Sequence, residues 1–105
     1  MKKLCRTKQL EQDYNISIER HNYNGYLVYE YYSNLDKTDD LYICDIGGWM
    51  ETLDEVEESI KEELEEILDY IKNMKELLKE EFYDEVAQQQ LLERFFNVYP
   101  KMKGN

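Results

Sequence analysis

Apolar and polar positions along the chain follow two different periods. Ile16 and Ile18 alternate with Ser17 and Glu19, the period of two in which neighbouring side chains point to opposite faces of a strand. Asn24-Gly25 follows, the dipeptide that best accepts the positive φ of a type I′ hairpin turn. A second strand is predicted from about Tyr26 to Ser33, with Tyr23 paired to Tyr26 across a two-residue loop. That register puts Ile16, Ile18, Leu27, Tyr29 and Tyr31 on one face. Ser17, Glu19, His21, Tyr23, Tyr26, Val28, Glu30 and Tyr32 share the other. The first face is the better core. Asn34 to Asp40 reads as a polar turn, Leu41-Tyr42-Ile43-Cys44-Asp45-Ile46 as a third strand, and Gly47-Gly48 as its end.

Beyond Trp49 the period changes. Leu53, Val56, Ile60, Leu64, Ile67, Ile71, Met74 and Leu78 recur at steps of three and four. At about 100° per residue they fall within about 40° of one line, the stripe of an amphipathic helix. Thr52 with Glu55 is a capping-box signature. No Gly or Pro interrupts the chain from Glu51 to Tyr99. A single helix over that stretch would be about 73 Å long at ~1.5 Å per residue, longer than so small a sheet can cover. A break is therefore placed near Glu81–Asp84. Asp84 would cap a second helix with Val86, Leu91, Leu92, Phe95 and Phe96 on its apolar face, and Pro100 would end it before a short basic tail.

The expected architecture is one α+β domain over 1–105. A basic arm or short helical turn spans 1–12, a three-stranded antiparallel sheet 14–46, a long acidic amphipathic helix 51–81, and a second, C-terminal helix 84–99. The seam of Ile60, Leu64, Ile67, Ile71, Met74 and Leu78 can pair with the sheet, with the second helix, or with another copy to form a homodimer.

Composition narrows the function classes. The 105 residues carry 24 acids against 13 bases, a formal charge of −11. So acidic a chain is a poor direct binder of nucleic acid or of an anionic membrane surface. The start, Met1-Lys2-Lys3-Leu4-Cys5-Arg6, lacks the apolar stretch of a secretion signal, and no run approaches the ~18 apolar residues of a membrane span. A cytoplasmic protein is expected. Cys5 and Cys44 match no metal-ligand spacing; Cys44 reads as a core residue and Cys5 as a free thiol.

The charge is concentrated. Residues 1–35 hold four acids and five bases, 70–105 hold six of each, and 36–69 hold fourteen acids and two bases. Glu51, Glu55, Glu58, Glu62, Glu65 and Asp69 step by four, three, four, three, four along the side opposite Ile60 and Ile67, with Asp54 and Glu66 flanking them. Ten acids over 51–69 amount to roughly one charge per 2.7 Å at ~1.5 Å per residue. One strand of a DNA duplex carries about one per 3.4 Å. Like charges at i,i+4 destabilise a helix by about 0.2–0.5 kcal/mol per pair, so the ridge has a stability cost that interleaved Lys would have avoided. Two readings stand: an ordinary solvated face favoured by the helix dipole in its first turn, or a surface shaped to occupy a groove built for a nucleic-acid backbone.

Other chemistry is sparse. His21 lies near the hairpin turn with no nucleophile implied beside it. Asp36, Asp39 and Asp40 lack EF-hand spacing and its Gly. No phosphate loop or Cys-His pairing appears, so no catalytic residue, metal or cofactor is expected. Tyr23, Tyr26 and Tyr32, on the face without an obvious cover, are candidate interface anchors.

In its size, composition and acidic ridge over 51–69 the chain resembles the small inhibitor proteins of phages and mobile elements, with DNA-mimicking anti-CRISPR proteins the nearest comparison. The resemblance implies a non-enzymatic inhibitor whose partner is a nucleic-acid-binding protein such as a Cas effector nuclease, met in the cytoplasm of a bacterial host. The acids would sit in a cationic channel such as the one that reads a protospacer-adjacent motif. The expected partner-binding residues are Asp36, Asp39, Asp40, Glu51, Asp54, Glu55, Glu58, Glu62, Glu65, Glu66 and Asp69, with Tyr23, Tyr26 and Tyr32 beside them. The alternative is a helix-mediated oligomeric protein with no DNA-mimic role.

Overall fold

The computed structural model describes residues 5–39, 41 and 45–103. A three-stranded antiparallel sheet is followed by a long helix and a C-terminal helix, as the periodicity predicts. The order is α1 (Arg6–Tyr14), β1 (Ile16–Tyr23), β2 (Tyr26–Ser33), β3 (Gly47–Met50), α2 (Leu53–Lys72), a single turn α3 (Met74–Leu77) and α4 (Glu85–Val98). Short 3-10 turns lie at Glu80–Phe82 and Pro100–Met102.

The hairpin has the expected register, with Tyr23 opposite Tyr26 and Ile16 opposite Ser33. Asn24 and Gly25 take φ of 57° and 91°, and the Asn22 side chain accepts the Gly25 N–H at 2.7 Å. Alternation sends Ile16, Ile18, Tyr29 and Tyr31 inward. Leu27, assigned to the same face, is 41% exposed because it lies at the hairpin tip, outside the core.

The third strand lies further along the chain than expected. It is Gly47–Met50, with Gly48 opposite Tyr31 and Trp49 opposite Glu30. Residues 42–44, Cys44 among them, lie outside the described residues. Leu41 and Ile46 are buried without being in a strand. At Leu41 and Ile46 the apolar pattern thus reports burial, which periodicity alone does not separate from strand. The Ile46 carbonyl accepts from Ser33 N at 3.1 Å and leads β3 into the ladder.

The basic arm is a helix from Arg6 onward. Leu10 and Tyr14 are its buried residues, and Asn15 closes it in the left-handed region at φ 51°. The exposed Cys5 precedes it as a free thiol.

The acidic helix starts where the capping box places it, with Glu55 N donating to Thr52 Oγ1 at 3.1 Å. It stops at Lys72, well before the expected break near 81. Asn73 Nδ2 donates to the Asp69 carbonyl at 2.8 Å, and Gln88 of α4 donates to the Ile71 and Lys72 carbonyls. The Ile71 and Lys72 carbonyls, at the point where the ladder would continue, are thus met by a side chain of α4. Asp84 does cap α4, accepting from Val86 N at 2.9 Å. Val86, assigned to the apolar face of α4, is 64% exposed. It falls in the first turn, beyond the stripe of Leu91, Leu92, Phe95 and Phe96 that packs on the core. Pro100 does not end the structure but opens a 3-10 turn behind the buried Tyr99.

Val56, Ile60, Leu64 and Ile71 of α2 meet Leu10, Tyr14, Ile16, Tyr31 and Phe95 in one core, with Ile67 and Met74 packed against it. The central residues of the seam considered for a homodimer are therefore already covered by their own chain. Among the described residues, no helix is long and apolar enough to cross a membrane.

Candidate functional site

The stripe that buries α2 determines where its acids go. Asp54, Glu55, Glu58, Glu62, Glu65, Glu66 and Asp69 are all exposed, on the side turned away from Val56, Ile60 and Leu64. Two acids of the same helix are diverted. Glu57 accepts from Tyr14 Oη at 3.0 Å and from Arg6 at 3.2 Å. Glu63 accepts from Tyr31 Oη at 3.0 Å, and burial raises its carboxyl above the usual range against the bonds from Tyr31 and the Gly47 N–H. The seven that remain span fifteen steps, so at ~1.5 Å per residue they present roughly one charge per 3.2 Å. The strand value is about 3.4 Å. Among the described residues, the ion pair that reaches this ridge joins Arg6 to Asp54 at 2.8 Å.

Glu51 is not part of the ridge. It precedes the Thr52 cap and accepts a hydrogen bond from Tyr26, whose phenol it holds above its ordinary pKa. Glu55 is exposed but tied to the cap, accepting from Thr52 Oγ1 at 3.0 Å. Asp36 and Asp39 are elsewhere. Asp36 accepts from the Thr38 N–H and hydroxyl, both at 2.9 Å, which lowers its carboxyl pKa. Asp39 is bonded to Arg94 of α4 and accepts from Leu41 N, and these contacts hold its carboxyl below the usual range, Arg94 foremost. Its charge is met within the chain. Asp40 lies outside the described residues.

The tyrosines form a second surface. Tyr23, Tyr26 and Tyr32 are 56%, 54% and 40% exposed and share the outer sheet face with Trp49, at 52%. The opposite sheet face carries Tyr31, whose hydroxyl meets Ser59 Oγ of α2 at 2.7 Å. The outer face and the ridge are turned to different sides but meet at the start of α2, where Tyr26 donates to Glu51 and feels the charge of Glu55. Sequence periodicity identified each surface but not where the two meet.

A further group was missed by spacing rules. Glu19, His21 and Glu30 converge on the outer face. The signal was present as Glu19-x-His21 at strand period, combined with a register that sets Glu30 opposite Glu19. No family model, curated protein or solved structure matches the chain.

Proposed function

We propose that the chain is a protein-binding inhibitor that presents the exposed acids of α2 to a cationic groove made for a nucleic-acid backbone, as a Cas effector nuclease has. One observation carries this reading: seven carboxylates of one helix face solvent at close to the charge spacing of a DNA strand, while among the described residues the chain's own cations reach the row only at Asp54. The binding residues are narrowed to Asp54, Glu55, Glu58, Glu62, Glu65, Glu66 and Asp69. Opposed fields of this kind accelerate association and make it salt-dependent.

The test compares the parent with a variant carrying Glu58→Gln, Glu62→Gln, Glu65→Gln and Asp69→Asn. Both are immobilised and exposed to a bacterial lysate at low and high salt. Capture of a nucleic-acid-binding enzyme by the parent alone, weakened by salt and by competing duplex DNA, is the expected result. Equal capture of the same protein by parent and variant, with no salt dependence, overturns the reading.

A further inference from the structure

We propose that Glu19, His21 and Glu30 form a three-ligand site for a late first-row divalent metal ion, Zn2+ before others. The proposal is independent of the acidic ridge, none of whose residues it uses.

The sheet register assembles the group. Glu19 and Glu30 are directly opposed across β1 and β2, a position in which like charges repel. His21 follows Glu19 by two residues and so shares its face. The His21 Nε2 atom is 3.1 Å from Glu30 Oε1 and 3.7 Å from Glu19 Oε2. One ligand atom from each of the three lies within 4.8 Å of the other two. Tetrahedral bonds of about 2.0–2.2 Å place neighbouring ligand atoms about 3.3–3.6 Å apart. Two separations bracket that value, and the third needs only a small rotation of a glutamate side chain.

The surroundings orient these ligands. Trp49 of β3 lies against the imidazole with ring centroids 4.8 Å apart, and Tyr23 stacks on it at 6.1 Å. Tyr32 Oη donates to Glu19 Oε1 at 3.2 Å, which leaves Oε2 for His21 or an ion. Such outer hydrogen bonds fix ligand orientation at metal sites. The donor set selects the ion class. Ca2+ and Mg2+ take six or more oxygens, whereas imidazole with carboxylates suits Zn2+, Cu2+ and Ni2+. Two carboxylates balance the dication.

The chain contains one His and one Trp, and the two rings touch, so Trp49 fluorescence reports on His21 directly. The test uses the full chain with Cys5→Ser and Cys44→Ser, so that no thiol competes for the metal. Cu2+ is titrated against Trp49 emission, and Zn2+ or Ca2+ is added afterwards. The expected result is quenching that saturates near one equivalent at micromolar Cu2+ and is reversed by a large excess of Zn2+ but not by the same excess of Ca2+. His21→Gln should raise the Cu2+ requirement at least about tenfold, and Tyr32→Phe should raise it less. Glu30→Gln repeats the reading of His21→Gln should the latter lose its circular dichroism. Quenching that never saturates below millimolar metal, or curves for His21→Gln and Glu30→Gln that coincide with the parent, would overturn the site.

Discussion

Gln88, on the C-terminal helix, donates its side-chain amide to the main-chain carbonyl of Ile71 at 2.8 Å and to that of Lys72 at 3.2 Å. It is 8% exposed, and its own carbonyl accepts from Tyr83 Oη at 2.6 Å. A side chain of α4 thereby ends α2. Gln88→Leu keeps the volume but removes the donor from carbonyls inside the fold. The expected loss is about 1–3 kcal/mol, read as a lower denaturation midpoint at unchanged slope.

Gly48 lies opposite Tyr31 on the inner sheet face. A Cβ there would stand 3.1 Å from Tyr31 Oη and 3.2 Å from Cε1. The ring cannot readily yield, being 1% exposed and held by Ser59 and Glu63 through its hydroxyl. Gly48→Ala is expected to cost about 1–3 kcal/mol through overpacking, partly offset by about 0.4–1 kcal/mol from a less flexible unfolded chain. The nearest atom is the hydroxyl oxygen, so the penalty should shrink in a Tyr31→Phe background. A double-mutant cycle of thermal stability measures that coupling.

Glu63 supplies a pH signature. Burial raises its folded-state pKa above the ~4.3 of an unfolded glutamate. Its contribution to stability is therefore full below about pH 4 and is lost as pH rises through the folded value. Glu63→Gln should be more stable than the parent at pH 7, with the difference closing as pH falls below about 4. Asp39 has the opposite sign. Arg94 lowers its pKa, so its contribution is present above the unfolded ~3.9 and lost on acidification. Asp39→Asn should lower stability at pH 7 and converge with the parent in acid. Melting curves between pH 3 and 7 decide both.

The row of acids itself should be destabilising. The pairs 54/58, 58/62, 62/66 and 65/69 are like charges at i,i+4 within α2. Neutralising residues 58, 62, 65 and 69 removes all four repulsions. At about 0.2–0.5 kcal/mol each, the gain is about 0.8–2 kcal/mol at low ionic strength, shrinking as salt is added. A variant that melts higher yet captures less partner would show stability and binding opposed on the same residues. An unchanged melting temperature at low salt would show that the carboxylates do not repel one another enough to matter.

Much of the fold was legible in the sequence because it rests on short-range rules. Asn24-Gly25 specifies its own turn, and with it the register of sixteen strand residues. Thr52 and Asp84 mark helix starts through bonds made within three residues. The α2 stripe from Leu53 to Ile71 identifies core residues because helical geometry is uniform. The same geometry directed the acids outward before any contact was known. The misplaced features were long-range ones. Nothing near residue 73 announces that a glutamine fifteen positions later will take the carbonyls of α2. Nothing within 47–50 states that Tyr31 will lie beneath Gly48 and make those four residues the third strand.

Sequence alone determined the element types, the hairpin register, and a helix whose apolar and acidic sides are opposed, since each follows from neighbouring residues and a fixed backbone period. Tertiary structure decided which charges remain free. Arg94 met Asp39, Arg6 met Asp54 and Glu57, and Tyr31 drew Glu63 inward. It also joined Tyr26 of the aromatic sheet face to Glu51 at the start of the acidic helix and brought Glu19, His21 and Glu30 together. These outcomes depend on which distant side chains packing brings within reach, and no local period encodes that.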